Sequence, residues 1–215
     1  MSGGFLADGA DAELRRAIET VEQASCAEIV IAVRRRSAVW LHAHVIVGVL
    51  VGFGALAFML WDEHAFSLPS IWIDPFVMGG LAGAAVAWLP ALQRLLTPRR
   101  ARRRAVRRAA MVTFHERGVR RTRGHTGILV YVSLLERMAE LVPDDGVIAA
   151  APIDEWKKAA QKIDRSVVHG GRATASAIAA LHELLGPCLP VTDDDINELP
   201  DDIDDRDHDG IEGDE

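Results

Sequence analysis

The stretch "TGILVYVSLLERMAELVPDDGV", Thr126 to Val147, decides the fold. GILVYVS is a run of branched and aromatic residues, the composition of a strand covered on both faces. RMAELV is a second such run. Leu134, Leu135 and Glu136 leave little room between them, which predicts a β-hairpin. PDDG then breaks the chain before the next helix. This is the grammar of a sheet-containing domain.

On the N-terminal side, "DAELRRAIETVEQAS" puts Leu14, Ala17, Ile18, Val21 and Ala24 on one helical stripe, with Asp11 expected as its cap. "AEIVIAVR" follows as a strand too apolar for an open face, expected at the centre of the sheet. Further on, Val106, Ala109, Ala110, Thr113 and Phe114 form a second stripe ending near Gly118. A third helix presents Ile153, Trp156, Ala160 and Ile163. A last one, from about Arg172 to Leu185, presents Ala175, Ile178, Ala179, His182 and Leu185 before Gly186 and Pro187 stop it.

Two uncharged runs interrupt this pattern. Between Arg36 and Asp62 stand 25 residues without Asp, Glu, Lys or Arg, and between Asp74 and Arg94 stand 19. At 1.5 Å per residue the shorter makes a helix of roughly 28 Å, about the thickness of a bilayer's hydrocarbon core. Two transmembrane helices are expected, near 38–61 and 75–93, within a hairpin spanning 37–93. Trp40, Trp61, Trp72 and Trp88 fall near their ends, where indole rings favour the headgroup zone. Gly48 with Gly52 and Gly79 with Gly83 form a GxxxG in each helix, suited to close packing within one hairpin or between two copies. His42 and His44 are expected to be solvated at the interface. With no charge inside either span, a pore is disfavoured.

Residues 9–36 and 99–190 sum to 120, the size of one ordinary domain. The short first piece could not bury its strand alone. The expected fold is therefore α/β, a small mixed sheet flanked by helices, split by a transmembrane helical hairpin.

Charge is segregated along the 215 residues. Thr192–Glu215 holds 13 acidic residues and one Arg, a net of −12 within an overall −7, which leaves +5 on the rest. Such a tail, 191–215, is expected to be disordered. Arg34, Arg35 and Arg36 precede the hairpin, and seven arginines follow it within ten residues: Arg99, Arg100, Arg102, Arg103, Arg104, Arg107 and Arg108. By the positive-inside rule both termini and the domain are cytoplasmic, with the acidic loop between the helices outside. Without interleaved aromatics, the arm calls for anionic lipid headgroups rather than nucleic acid. The tail could also fold back on it. Cys26 and Cys188, without CxxC spacing, predict unpaired buried thiols. The start, MSGGFLADGADAEL, lacks the basic and apolar regions of a signal peptide.

Motifs for chemistry are sparse. His182-Glu183 begins like HExxH, but position 186 is Gly. Ser133 lacks a GxSxG turn. Gly170 and Gly171 open a helix, where N–H groups can accept an anion. Asp144 and Asp145 stand at a strand exit, where they could hold Ca²⁺ or Mg²⁺ or simply cap a turn. Asp205, Asp207, Asp209 and Gly210 match positions 1, 3, 5 and 6 of an EF-hand loop, whose twelfth position would be residue 216.

"AEIVIAV", then "TGILVYVSLLERMAELVPDDGV", a Trp-bearing helix and "GPCLPVTDDDINELPDDI" resemble the TPM-domain family of membrane-associated proteins. In particular, the chain looks like the bacterial subgroup whose domain is split by a membrane hairpin. The specific parts are the strand–ER–strand–D.G run and the NELP ending, Asn197 to Pro200. The resemblance implies an α/β domain with a small sheet, in the inner membrane of a bacterium. Family members range from plant thylakoid proteins with acid phosphatase activity, linked to photosystem repair, to animal receptor-accessory proteins. In some, metal ions sit near loop carboxylates, and in many the domain lies outside the cytoplasm. Two functions follow as expectations. One is a protein-interaction, assembly or quality-control module at the membrane surface, binding other membrane proteins. The alternative is a metal-assisted phosphatase using Asp144 and Asp145.

Overall fold

A computed structural model of the chain describes residues 2–7, 9–191 and 203–205. It opens with a single helical turn, α1 (Ser2–Phe5), then α2 (Ala10–Glu22) and strand β1 (Glu28–Arg34). Helices α3 (Leu41–Trp61), α4 (Leu68–Ala85) and α5 (Pro90–Leu96) follow, then α6 (Arg99–Glu116). β2 (Gly127–Ser133) and β3 (Met138–Pro143) come next, followed by α7 (Asp145–Ala150) and α8 (Ile153–Ser166). α9 (Gly171–Ala179) and α10 (Leu181–Cys188) are the last helices among the described residues. The chain forms two compact units, 1–37 with 103–215, and 38–102.

The first unit is a mixed three-stranded sheet with helices on both faces. β1 pairs in parallel with β2, from Glu28 opposite Gly127 to Arg34 opposite Ser133. β2 pairs antiparallel with β3, from Ser133 opposite Met138 to Ile128 opposite Pro143. The expected hairpin is there, turned by Leu134–Arg137, with Arg137 at φ 52°.

Alternation along the strands sorts side chains to two cores. Ile29, Ile31, Val33, Ile128, Val130, Val132, Ala139 and Leu141 join Leu14, Ile18 and Val21 of α2, and Ile163, Ile178 and Leu185 of the later helices. On the other face Val30, Ala32, Leu129, Tyr131 and Val142 join Val106, Ala110 and Phe114 of α6. At roughly 1.5–3 kcal/mol for each fully buried large apolar side chain, these two layers supply the driving force. They also correct the placement of β1. It lies at the edge of the sheet, in the order β1–β2–β3. Its unbroken apolar run reports cover on both faces, not a strand on both sides.

Two helix ends differ from expectation for local reasons. Gly9, at φ 80°, is the N-cap of α2, so Asp11 falls in the first turn, where its carboxylate pairs with Arg15 at 3.2 Å. The last helix breaks into α9 and α10 and continues through Gly186 and Pro187 to Cys188. The His182 ring Nδ1 lies 2.7 Å from the Ala179 carbonyl at that break. There it can satisfy an acceptor that the helix end leaves without an intrahelical partner.

The second unit packs α3 against α4. A Cβ on Gly48 would lie 2.9 Å from the Gly79 carbonyl oxygen, and one on Gly83 the same distance from that of His44. A Cβ on Gly52 would meet the Pro75 carbonyl at 3.0 Å. The two GxxxG pairs therefore face each other within one hairpin. α4 starts at Leu68, capped by Ser67, seven residues before the expected start. It gives way at Val86–Trp88 to a 3-10 turn, and Pro90 starts α5. Asp74 thus lies inside the second apolar helix, contrary to the expectation of uncharged spans. Polar side chains close the break. Gln93 donates to the Val86 carbonyl at 2.8 Å, and His44 Nδ1 lies 2.9 Å from the Gly83 carbonyl. His42 Nε2 lies 3.2 Å from the Thr97 hydroxyl. His44 is half-buried against α4, and His42 stays exposed.

Leu41–Trp61 and Leu68–Trp88 are long and apolar enough to cross a membrane, and little of either is buried.

Candidate functional site

The sheet positions polar side chains in three places. At the C-terminal end of the parallel pair, Ser133 donates to the Glu136 carboxylate, which the hairpin turn folds back over the strand end. The backbone N–H of Ser37 donates to the same carboxylate at 3.2 Å, and the Ser37 hydroxyl donates to Ser133 Oγ at 2.8 Å. Tyr131 OH is 3.3 Å from Ser37 Oγ. Burial pushes the Tyr131 phenol above its usual range, against the lowering pull of the Ser37 hydrogen bond and the Arg34 charge. Ser133 and Glu136 are fully buried. A buried hydroxyl bonded to a carboxylate holds the turn, and substrate cannot reach it.

Beside this cluster, on the outer edge of β1, lies Asp204. Its N–H donates to the Ile31 carbonyl at 2.9 Å, and its carbonyl accepts from Val33 N–H at 2.8 Å. Its carboxylate accepts from Arg34 Nη2 at 2.6 Å and also pairs with Arg117. Ile203 is buried in the same core as Ile29 and Ile31. The expectation of a disordered tail therefore fails at Ile203–Asp205; residues 192–202 and 206–215 lie outside the described residues. So do Asp207 and Asp209, and Asp205 stands exposed.

At the opposite end of the sheet Asp144 caps α7, accepting from Asp145 N–H at 2.9 Å. Its second oxygen lies 3.2 Å from His125 Nδ1, and Arg120 Nε is 3.7 Å from the first. Asp145 turns away, paired with Arg120 at 2.9 Å. The side chains are 2% and 70% exposed, so these two carboxylates do not converge on a cleft. Gly146 keeps the turn tight: a Cβ there would lie 2.7 Å from the His125 carbonyl and nearer still to that of Gly124. No group of three or more His, Cys, Asp or Glu is gathered among the described residues. A Ca²⁺ or Mg²⁺ ion needs several oxygen ligands, and here an arginine stands beside the one buried carboxylate. The residues do not fit that ion.

On the outer edge of β3, Asp164 accepts from Ala139 N–H at 2.9 Å and holds Arg103 in a two-point bridge. Arg103 therefore braces the sheet edge, which corrects its expected role at lipid headgroups. Arg99, Arg100, Arg104, Arg107 and Arg108 are exposed, and Arg102 is half-buried. Burial raises the Glu140 carboxyl above the usual carboxylate range, partly offset by the charges of Arg103 and Arg107.

The pairings of Asp204 and Asp164 lie outside the expectations drawn from the sequence. Asp164 had a readable signal, standing next to Ile163 on the inward stripe of α8. Asp204 had none, since its neighbours read as acidic tail.

No protein-family model and no curated protein matches the chain. Among solved structures it is similar to the BA42 protein of the psychrophilic bacterium Bizionia argentinensis, with a TM-score of 0.56. The two are 16% identical over 94% of this chain and 96% of that one. At that identity the likeness is one of fold: a mixed α/β architecture with a small sheet and flanking helices.

Proposed function

We propose that this protein is a membrane-anchored interaction module: the apolar hairpin anchors it, and a split TPM-like α/β unit binds other membrane proteins during assembly or quality control. The observation that carries this reading is the apolar surface left in the open on each unit. Phe53, Trp61, Trp72 and Phe76 stand exposed on the hairpin, an arrangement suited to lipid and costly in water. Ile148 of α7 and Ile153 at the start of α8 stand exposed on the α/β unit. The side chains with chemical potential support the same reading, because Glu136, Asp144 and Asp164 are each engaged in holding a turn or a strand edge. The sequence resemblance to the TPM-domain family and the fold likeness to BA42 also support it. The exposed arginines of α6 suit anionic headgroups, worth roughly 1 kcal/mol each near the surface.

The test is photo-crosslinking in native membranes with a benzophenone side chain at Ile148 or Ile153. Discrete adducts with a small set of membrane proteins are expected, and none from an exposed polar position such as Lys158. Adducts absent from both apolar positions would contradict the reading.

A further inference from the structure

We propose that the face of α4 carrying Asp74 is a docking site for a transmembrane helix of another membrane protein, one that brings a lysine or arginine to the depth of that carboxylate. The proposal adds a partner surface inside the bilayer and rests on the membrane-anchor reading.

The hairpin fixes which way Asp74 faces. α4 buries Pro75, Gly79 and Gly83, and these lie against α3. A Cβ on Gly79 would meet the Gly48 carbonyl, one on Gly83 that of His44, and one on Gly52 that of Pro75. With 3.6 residues per turn, Asp74 turns away from this seam, onto the side of Val77, Met78 and Leu81. All four stand exposed. The spacing of three, four and seven from Asp74 makes one continuous stripe that α3 leaves uncovered.

Register fixes its depth. Gly48 lies against Gly79 and Gly83, and Gly52 against Pro75 and Gly79, so the two helices run antiparallel. That register sets Leu68, where α4 begins, near the level of Trp61, where α3 ends. Asp74 lies six residues along α4 from Leu68, roughly 9 Å at 1.5 Å per residue. Its carboxylate therefore belongs inside the apolar layer, in the half nearer the connecting loop.

A charge at that depth calls for a counter-charge, because ionised side chains in hydrocarbon are costly and pair with one another. Asp74 has no hydrogen bond or ion pair among the described residues. The hairpin cannot supply one, since no Lys or Arg stands between Arg36 and Arg94. His42 and His44 sit at the far end of α3, and His64 in the loop faces Asp62 at 3.5 Å. A second copy in the same topology brings the same residues to the same depths. The cation thus belongs to a different protein. A helix is the form that carries it, because a helix satisfies its own backbone in lipid, and Val77, Met78 and Leu81 offer it apolar contact beside the charge.

The test reconstitutes the full chain in phosphatidylcholine vesicles with a donor fluorophore at Ala65→Cys, on a Cys26→Ser/Cys188→Ser background. The probe is an acceptor-labelled synthetic helix of about 20 leucines and alanines, long enough to span, with one lysine six residues from its end. Energy transfer should report association at least ten-fold tighter than for the same helix with leucine in that place. Asp74→Asn should abolish the preference, and Asp74→Glu, which keeps the charge, should keep it. Equal association of the two helices with the wild type, or a preference that survives Asp74→Asn, overturns the proposal. Release of the chain from the vesicles by alkali would remove the anchor and this site together. A chain that stays in the bilayer and shows no preference would remove the site alone.

Discussion

Asp204 and Arg34 lie 170 positions apart and meet at 2.6 Å, side chain to side chain, on the edge of a sheet that the sequence places at the other end of the chain. The contact ties a tail segment to the strand that precedes the hairpin. Removing one partner of a buried ion pair costs roughly 3–5 kcal/mol when the other charge stays buried. Here Arg117 is 28% exposed and Arg34 lies at the outer edge of the sheet, so water can reach the charges left behind. Asp204→Ala should therefore lower unfolding free energy by only about 1 kcal/mol, the scale of a single hydrogen bond. Urea titration checks this, and a loss of the larger size would show that water does not reach them.

Asp164 is held differently. It lies mid-chain on α8 and satisfies both the Ala139 N–H and the Arg103 guanidinium. Neither can follow it into water without opening the edge of β3. Asp164→Ala should cost about 3 kcal/mol, and Asp164→Asn less, since the amide oxygen still accepts from Ala139. Denaturation midpoints of the two variants give the comparison.

Glu140 supplies a pH dependence of known sign. Burial raises its carboxyl in the folded state, so the folded protein holds a proton that the unfolded chain releases. The protonated form favours folding below the unfolded-state value, and that contribution is lost as pH rises through the raised folded-state value. Glu140→Gln, which cannot ionise, should be more stable than wild type at pH 7. The gap should close as pH falls through the carboxylate range, and melting temperatures at pH 4 and pH 7 measure it.

The hairpin offers an internal control. A Cβ on Gly79 would lie 2.5 Å from the Gly48 carbonyl oxygen, whereas one on Gly54 or Gly80 meets nothing within 4 Å. Gly79→Val should separate the two helices and lower thermal stability in detergent. Gly54→Ala and Gly80→Ala should be neutral or stabilising, by up to about 1 kcal/mol per helical glycine replaced.

Much of this architecture is legible in the sequence because it follows from periodicity. Ile128, Val130 and Val132 alternate with Leu129 and Tyr131, and that pattern predicts a doubly covered strand. The helical stripes of α2, α6 and α8 appear where the spacing puts them except at their ends, where Ile153 is exposed and Ala24 lies past the end of α2, and Gly48, Gly52, Gly79 and Gly83 meet as close-packing residues should. What periodicity does not carry is connection. The edge position of β1 depends on hydrogen bonding, which apolar composition does not encode. The early start of α4 depends on Ser67 as a cap, against the appearance of Asp74 as a boundary. Asp144 and Asp145 are adjacent in sequence, yet the cap geometry turns one inward and the other to solvent. The partners of Asp204 come from β1 and from the turn after α6, and no local signal points to either.

The most direct test of the central claim asks whether the hairpin crosses a bilayer and returns the chain to the side it left. Two single-cysteine chains, Ala65→Cys between α3 and α4 and Gln23→Cys beside α2, would be built on Cys26→Ser/Cys188→Ser. Both would be treated in intact cells with a membrane-impermeant maleimide. The account predicts labelling of the first alone, labelling of both once the membrane is opened, and retention of both chains in membranes through alkaline extraction. Release by alkali, or equal labelling of the two positions in intact cells, would contradict it.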